Sequence, residues 1–180
     1  MILYHGTSMI ITEIDLDKSR KRTDFGKGFY LGDDLSWAGK WAETTVKRIG
    51  GIETVMKYEL DDMAFVNENL NFCRFNTTNA EWLNFVRDNR VRLAEKTKEP
   101  RHSYDMVFGR IANDRAADVV KDYAGGSVSV DEAIKRIDFL PRVSQLSLHT
   151  PLALSYLKVV GYSQREGKEW SEFREINPTS

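Results

Sequence analysis

An α+β domain built on a mainly antiparallel sheet is the fold class this sequence predicts. Short strand-like and longer helix-like segments mix along the chain without the regular strand–helix–strand alternation of a doubly wound fold. Apolar residues make up 41% and charged residues 29% of the 180, the balance of a globular chain long enough to bury a core. No internal repeat and no linker divides the sequence, so residues 1–180 are expected to form one domain.

The elements follow in order. Met1 to His5 is a short apolar strand, and Ser8 to Asp24 a polar connection with one apolar patch at Ile10, Ile11, Ile14 and Leu16. Gly28 to Leu31 is a second short strand, entered through Gly26 and Gly28. From Leu35 to Ile49, Trp37, Ala38, Trp41, Ala42, Thr45, Val46 and Ile49 recur with helical period. Asp33 or Asp34 caps that helix, and Gly50-Gly51 ends it. Glu53 to Leu60 alternates as a strand. Thr78 and Glu81 form a capping box for a helix through Arg90, with Trp82, Leu83, Phe85 and Val86 apolar. A charged loop, Lys96 to His102, leads to a strand at Tyr104 to Phe108. Helices are expected over Ala112–Tyr123 and Val130–Leu140, the second opened by Ser129 and Glu132. Gln145 to His149 is again a strand, and Thr150-Pro151 starts a short helix through Leu157. Past Gln164 the tail is polar, with Trp170, Phe173 and Ile176 set for an edge strand or a packed helix.

Composition excludes several classes. The net charge is −1, which argues against general polyanion binding, although Lys18, Arg20, Lys21 and Arg22 form a basic run that is either a nucleic-acid patch or a solvated loop. A single cysteine, Cys73, rules out a disulfide framework and a cysteine zinc site, and no metal site is expected. No basic segment followed by an apolar stretch opens the chain, and no apolar run approaches the roughly 20 residues that span a bilayer. The expectation is a cytoplasmic protein without membrane contact.

Three segments bear on chemistry. Tyr4-His5-Gly6-Thr7 places a histidine at a strand end, where the following glycine allows a ligand close to the backbone. In Asp24-Phe25-Gly26-Lys27-Gly28-Phe29-Tyr30-Leu31, two glycines bracket a lysine before an aromatic pair, and a helix bearing Trp37 and Trp41 follows. Such aromatic faces either fill a core or sandwich a flat heteroaromatic ring. In Ser144-Gln145-Leu146-Ser147-Leu148-His149-Thr150, alternation puts Gln145, Ser147 and His149 on one face, to be solvated or to line a cleft.

Together these segments resemble the ADP-ribosyltransferase superfamily, in its diphtheria-toxin and poly(ADP-ribose) polymerase branch, and within it a bacterial family of uncharacterised function. The motifs cover residues 3–7, 24–42 and 144–157, in the order and spacing of that branch. The resemblance implies that the sheet is split and surrounded by helices, and it implies NAD as substrate, without a metal. It implies that His5 bonds the nicotinamide ribose, that Gly6 pairs its backbone with the carboxamide, and that Tyr30 and Trp41 enclose the nicotinamide ring. Thr7 would lie near the adenine-side ribose, Gly28 would belong to the NAD-binding segment, and His5, Tyr30 and Gln145 would converge on one cleft. Ala38 stands where polymerases have a serine that bonds the amide.

Gln145 departs from the pattern, because it occupies the position of the catalytic glutamate. Glutamine keeps a hydrogen bond but brings no charge to a cationic transition state, a loss worth about 10²–10³ in rate. The implied activity is therefore single ADP-ribose transfer to a protein or nucleic acid, as a toxin or in phage defence, with an antitoxin or regulatory partner as a further expectation. The rival expectations are NAD glycohydrolysis, a weak or inactive NAD or ADP-ribose binding module, and a plain interaction domain. From Tyr104 to Arg115, Asn113 or Asp114 caps a helix, or Arg110, Asn113 or Arg115 faces the pyrophosphate or the acceptor.

Overall fold

The computed structural model describes residues 1–90, 102–112 and 114–176. The fold is α+β, as the mixed segment pattern predicts, and its strand pairing is mostly antiparallel. The contacts fall into two compact units.

The first unit comprises Met1–Asp15, Tyr30–Leu70 and Pro151–Ser180. Its sheet is made by β1 (Ile2–Thr7), β3 (Thr54–Leu60), β7 (Leu157–Glu166) and β8 (Glu169–Trp170), in that order, with β9 (Arg174–Glu175) also paired to β7. The register of β1 on β3 is unbroken, from Ile2 opposite Glu59 to Thr7 opposite Thr54. Helix α1 (Leu35–Ile49) starts where expected: the Asp34 carboxylate accepts from the Ser36 and Trp37 N–H groups. It ends at Gly50, whose φ of 78° suits a residue without Cβ. The helix buries Ala38 and Ala42 against Val55, with Tyr4, Trp170 and Phe173 packed around them. The long strand β7 lies where the sequence suggested a helix end and a polar tail. The helix begun at Thr150-Pro151 is in fact the four-residue α5 (Pro151–Leu154). The Trp170 segment takes the edge-strand alternative.

The second unit comprises Leu16–Phe29 and Asn71–Thr150. Strand β6 (Ser144–Leu148) runs antiparallel to β5 (Met106–Arg110), and β4 (Phe72–Arg74) runs parallel to β5. Strand β2 (Phe29–Leu31), whose Phe29 belongs to this unit, completes the order β2-β6-β5-β4. Helices α2 (Ala80–Arg90), α3 (Asp114–Ala124) and α4 (Val130–Asp138) contribute Trp82, Leu83, Val86, Ala116, Val120, Ala133 and Ile137 to the buried apolar set. Ser129 caps α4 as expected. Helix α2 is capped by Asn79, which accepts from the Trp82 N–H at 2.9 Å, and not by Thr78, whose hydroxyl accepts from Arg110. The charged loop expected at Lys96 to His102 lies largely outside the described residues. Among the described residues, no helix is long and apolar enough to cross a membrane.

Candidate functional site

The Tyr4–Thr7 motif and the Tyr30 end of the second motif meet in the first unit. Tyr4 and Gly32 exchange both backbone hydrogen bonds, N–H to carbonyl at 2.7 and 3.0 Å, in a single isolated bridge. The Tyr4 peptide groups therefore point away from β3, and by alternation those of Gly6 point to the same edge. The bridge does not continue. Opposite Gly6, the Tyr30 carbonyl instead accepts from the His5 imidazole at 2.7 Å. A carbonyl has no proton to give, so Nδ1 carries the hydrogen and Nε2 is the acceptor nitrogen. Burial lowers the His5 pKa from its ordinary value, with the Tyr30 bond acting in the opposite sense.

Gly6 is needed for a second reason, which sequence inspection did not find. A Cβ there would sit 2.0 Å from the Ala38 carbonyl oxygen and 2.7 Å from the Ala42 nitrogen. Only a glycine lets α1 lie this close to β1. The same approach brings Trp41 alongside, its Cβ 2.9 Å from that position, while the residue stays 38% exposed. Ala38 is buried in this contact. Thr7 is buried too, beside Thr54 in the ladder. His5, Gly6, Tyr30 and Trp41 are thus gathered in one unit by one strand, one bridge and one helix.

Gly28 and Gln145 belong to the second unit, where the third motif takes a form the sequence did not suggest. The face of β6 bearing Gln145, Ser147 and His149 is not solvated: Ser147 is fully buried and Gln145 is 9% exposed. The segment from Asp24 to Gly28 supplies the polar partners in place of water. Gln145 Nε2 donates to Asp24 Oδ2 at 2.7 Å, and the same oxygen accepts from the Ala112 N–H at 2.8 Å. Asp24 Oδ1 is ion-paired to Arg90. Burial raises the Asp24 pKa above the usual carboxylate value, against the pull of Arg90, the Ala112 N–H and Gln145.

Further along, His149 Nδ1 donates to the Lys27 carbonyl (2.8 Å) and its Nε2 faces the Ser147 hydroxyl (2.8 Å). His102 lies edge-on to His149, with ring centroids 4.7 Å apart, and its Nε2 bonds the Phe25 carbonyl at 2.7 Å. Burial pushes the His149 pKa down to about 4, and His102 adds to the effect. Gly28 has no room for a side chain, since a Cβ would meet His149 Nδ1 at 2.6 Å. Gly26 turns the segment at φ +83°. Asp24 and His149 stood in the motifs without an assigned role; Arg90 and His102 gave no local signal.

Arg110, expected as one alternative to face an anionic ligand, is buried within its own unit. Its guanidinium bonds the Ile137 and Leu140 carbonyls at 2.7 Å each, the Thr78 hydroxyl and the Asp138 carboxylate. It neutralises the C-terminal end of α4, where cations are favoured. Arg115 is exposed, and Asn113 lies outside the described residues.

With this geometry in place, comparison with known proteins gives a family. Residues 1–159 match the family described as "Protein of unknown function (DUF3990)", and the chain belongs to it. Neither a curated protein nor a solved structure matches the chain.

Proposed function

For this member of that family, we propose an NAD-dependent mono-ADP-ribosyltransferase that releases nicotinamide and passes ADP-ribose to a macromolecular acceptor. The observation that carries the proposal is the joining of the His5 and Tyr30 motifs, 25 residues apart, through the imidazole–carbonyl bond. That bond holds the His5 ring in one tautomer, with an acceptor nitrogen suited to a ribose hydroxyl. The Gly6 peptide, turned to the strand edge, offers the N–H and C=O that a carboxamide pairs with. Tyr30 and the half-exposed Trp41 supply ring faces for a nicotinamide. In the transfer, NAD supplies the glycosidic bond from ribose C1′ to the nicotinamide nitrogen, and the chain's residues orient it and stabilise developing charge.

A second reading, a catalytically weak or inactive NAD or ADP-ribose binding module, is favoured by one observation. The Gln145 amide is neutral, and its nitrogen is committed to Asp24. Incubation of the protein with NAD labelled in its adenylate, with and without cell lysate, separates the two. Label on protein or nucleic acid together with free nicotinamide is expected. Free ADP-ribose alone would make the protein a glycohydrolase. Binding without turnover would leave the module, and no NAD binding would refute the proposal.

A further inference from the structure

The carboxylate beside Gln145 decides which end of its amide is paired and which is left to accept a hydrogen bond. A glutamine amide carries two donors on nitrogen and an acceptor oxygen, and either end can be presented to a ligand. Here the choice is fixed. Asp24 Oδ2 accepts from Gln145 Nε2 and also from the Ala112 N–H, a donor that cannot reverse. Asp24 Oδ1 is held by Arg90, which has only donors. Flipping the amide would set its oxygen against a carboxylate oxygen already filled as an acceptor, with no proton between them. Asp24 is 4% exposed and cannot swing away into water. Gln145 is itself more than nine-tenths buried, and among the described residues its Oε1 has no hydrogen-bond partner.

We propose that Asp24 is a positioning residue that makes Gln145 a one-way hydrogen-bond acceptor, whose Oε1 takes a hydroxyl of the ligand, a ribose hydroxyl of a nicotinamide nucleotide. Only the identity of that hydroxyl rests on the NAD reading above. Gln145 thereby shows a ligand the same polarity as a carboxylate, while the formal charge sits behind it, on the hydrogen-bonded Asp24. Gln145→Glu alone then sets two carboxylates side by side in a buried place, where like charges cannot both ionise comfortably. Asp24→Asn removes one of the two charges; its amide nitrogen can donate to a glutamate at 145 only by leaving the Ala112 N–H without its acceptor, a cost already carried by the Asp24→Asn single variant and cancelled in the cycle.

The test is a double-mutant cycle on the full chain: wild type, Asp24→Asn, Gln145→Glu and the double variant, each followed by thermal melting and by nicotinamide release from NAD. Gln145→Glu is expected to lower the melting temperature by about 5–10 °C at neutral pH and by less as the pH falls, since the added carboxyl is then protonated. In the Asp24→Asn background the same substitution should cost less than half as much. The double variant, with the charge moved to 145, should release nicotinamide about 10²-fold faster than wild type. A merely structural Asp24 would produce no such gain. If Gln145→Glu costs the same in both backgrounds, the orientation by Asp24 is overturned, even where the wild type consumes NAD. If the wild type consumes NAD and the double variant is no faster than Gln145→Glu, the acceptor role is overturned. If the melts couple as expected but none of the four proteins binds or consumes NAD, the orientation is supported and the NAD reading is what fails.

Discussion

Acidification should weaken this protein through His149 over a defined pH window. His149 is neutral in the fold, with Nδ1 donating to the Lys27 carbonyl and Nε2 beside the Ser147 hydroxyl. A proton added to the ring would bring charge into a buried place, edge-on to His102. Its folded pKa is pushed down to about 4, from an ordinary value of 6.5. The sign follows. Below 6.5 the unfolded chain takes up a proton that the folded chain refuses, so stability falls as pH drops from 6.5 to about 4, then levels off. At about 1.4 kcal/mol per pKa unit, the interval amounts to roughly 3 kcal/mol, or about 6–12 °C in melting temperature for a chain of this size. His5, also depressed by burial, adds a loss of the same sign, so the wild-type curve alone does not isolate His149. His149→Asn keeps a donor for the Lys27 carbonyl and removes the titration. Melts of both proteins at pH 7.5, 6.5, 5.5 and 4.5 should converge as the pH falls, the variant losing about 2.5 kcal/mol less than wild type over that range. Parallel curves would show that His149 is not buried neutral.

Gly6→Ala should cost about 3 kcal/mol or more, since its Cβ would overlap the Ala38 oxygen, and a wild-type melt would disprove the close helix–strand approach. Arg110→Ala should cost about 3–5 kcal/mol in urea unfolding while leaving NAD affinity unchanged, and Arg110→Lys should recover little of it, because one ammonium cannot serve four partners. Trp41→Ala should weaken NAD binding about 2–10-fold by calorimetry with little change in melting, as expected of a half-exposed stacking face; unchanged affinity would remove Trp41 from the site. Tyr30→Phe should bind NAD nearly as wild type does and Tyr30→Ala several-fold more weakly, and equal affinity in a folded Tyr30→Ala protein would refute stacking.

Local chemistry made some elements legible and left others hidden. Helix α1 could be bounded to the residue because its signals are local: the Asp34 side chain bonds its own first turn, and Gly50 takes a conformation glycine favours. The α2 cap was placed one residue early because Thr78 and Asn79 are both capping types, and the distant Arg110 claims the threonine. Strand β7 was missed because Gly161, Ser163 and Gln164 break its apolar alternation. Their polarity is answered across space, by the Ser171 carbonyl for Ser163 and by Thr54 for Gln164. Strand β4 has three residues and is defined by its partner β5 rather than by its own sequence. At the candidate site, the strand-end histidine and the glycine-bracketed segment were visible as motifs. What holds them was not: Arg90 and His102 lie far along the chain from Asp24 and Phe25, and no spacing rule connects them.

The anchoring of the Asp24–Gly28 segment by β6 also bears on how the molecule comes into being. The bonds from Gln145 to Asp24 and from His149 to Lys27 span 121 and 122 residues. Gly26 and Gly28 leave the segment only a short turn of its own at Thr23–Gly26, and the partners that Arg90, His102 and Ala112 begin to supply are completed only when residues 145–149 arrive. On the ribosome, the emerging Asp24–Gly28 segment lacks these partners until residues near 149 leave the exit tunnel, and β3 waits longer still for β7. Long-range closures of this kind slow folding and lengthen the exposure of unpaired strand edges. Nascent chains truncated before residue 144 should therefore depend on chaperones and stay open to proteases, whereas the released chain should close in a late, cooperative step.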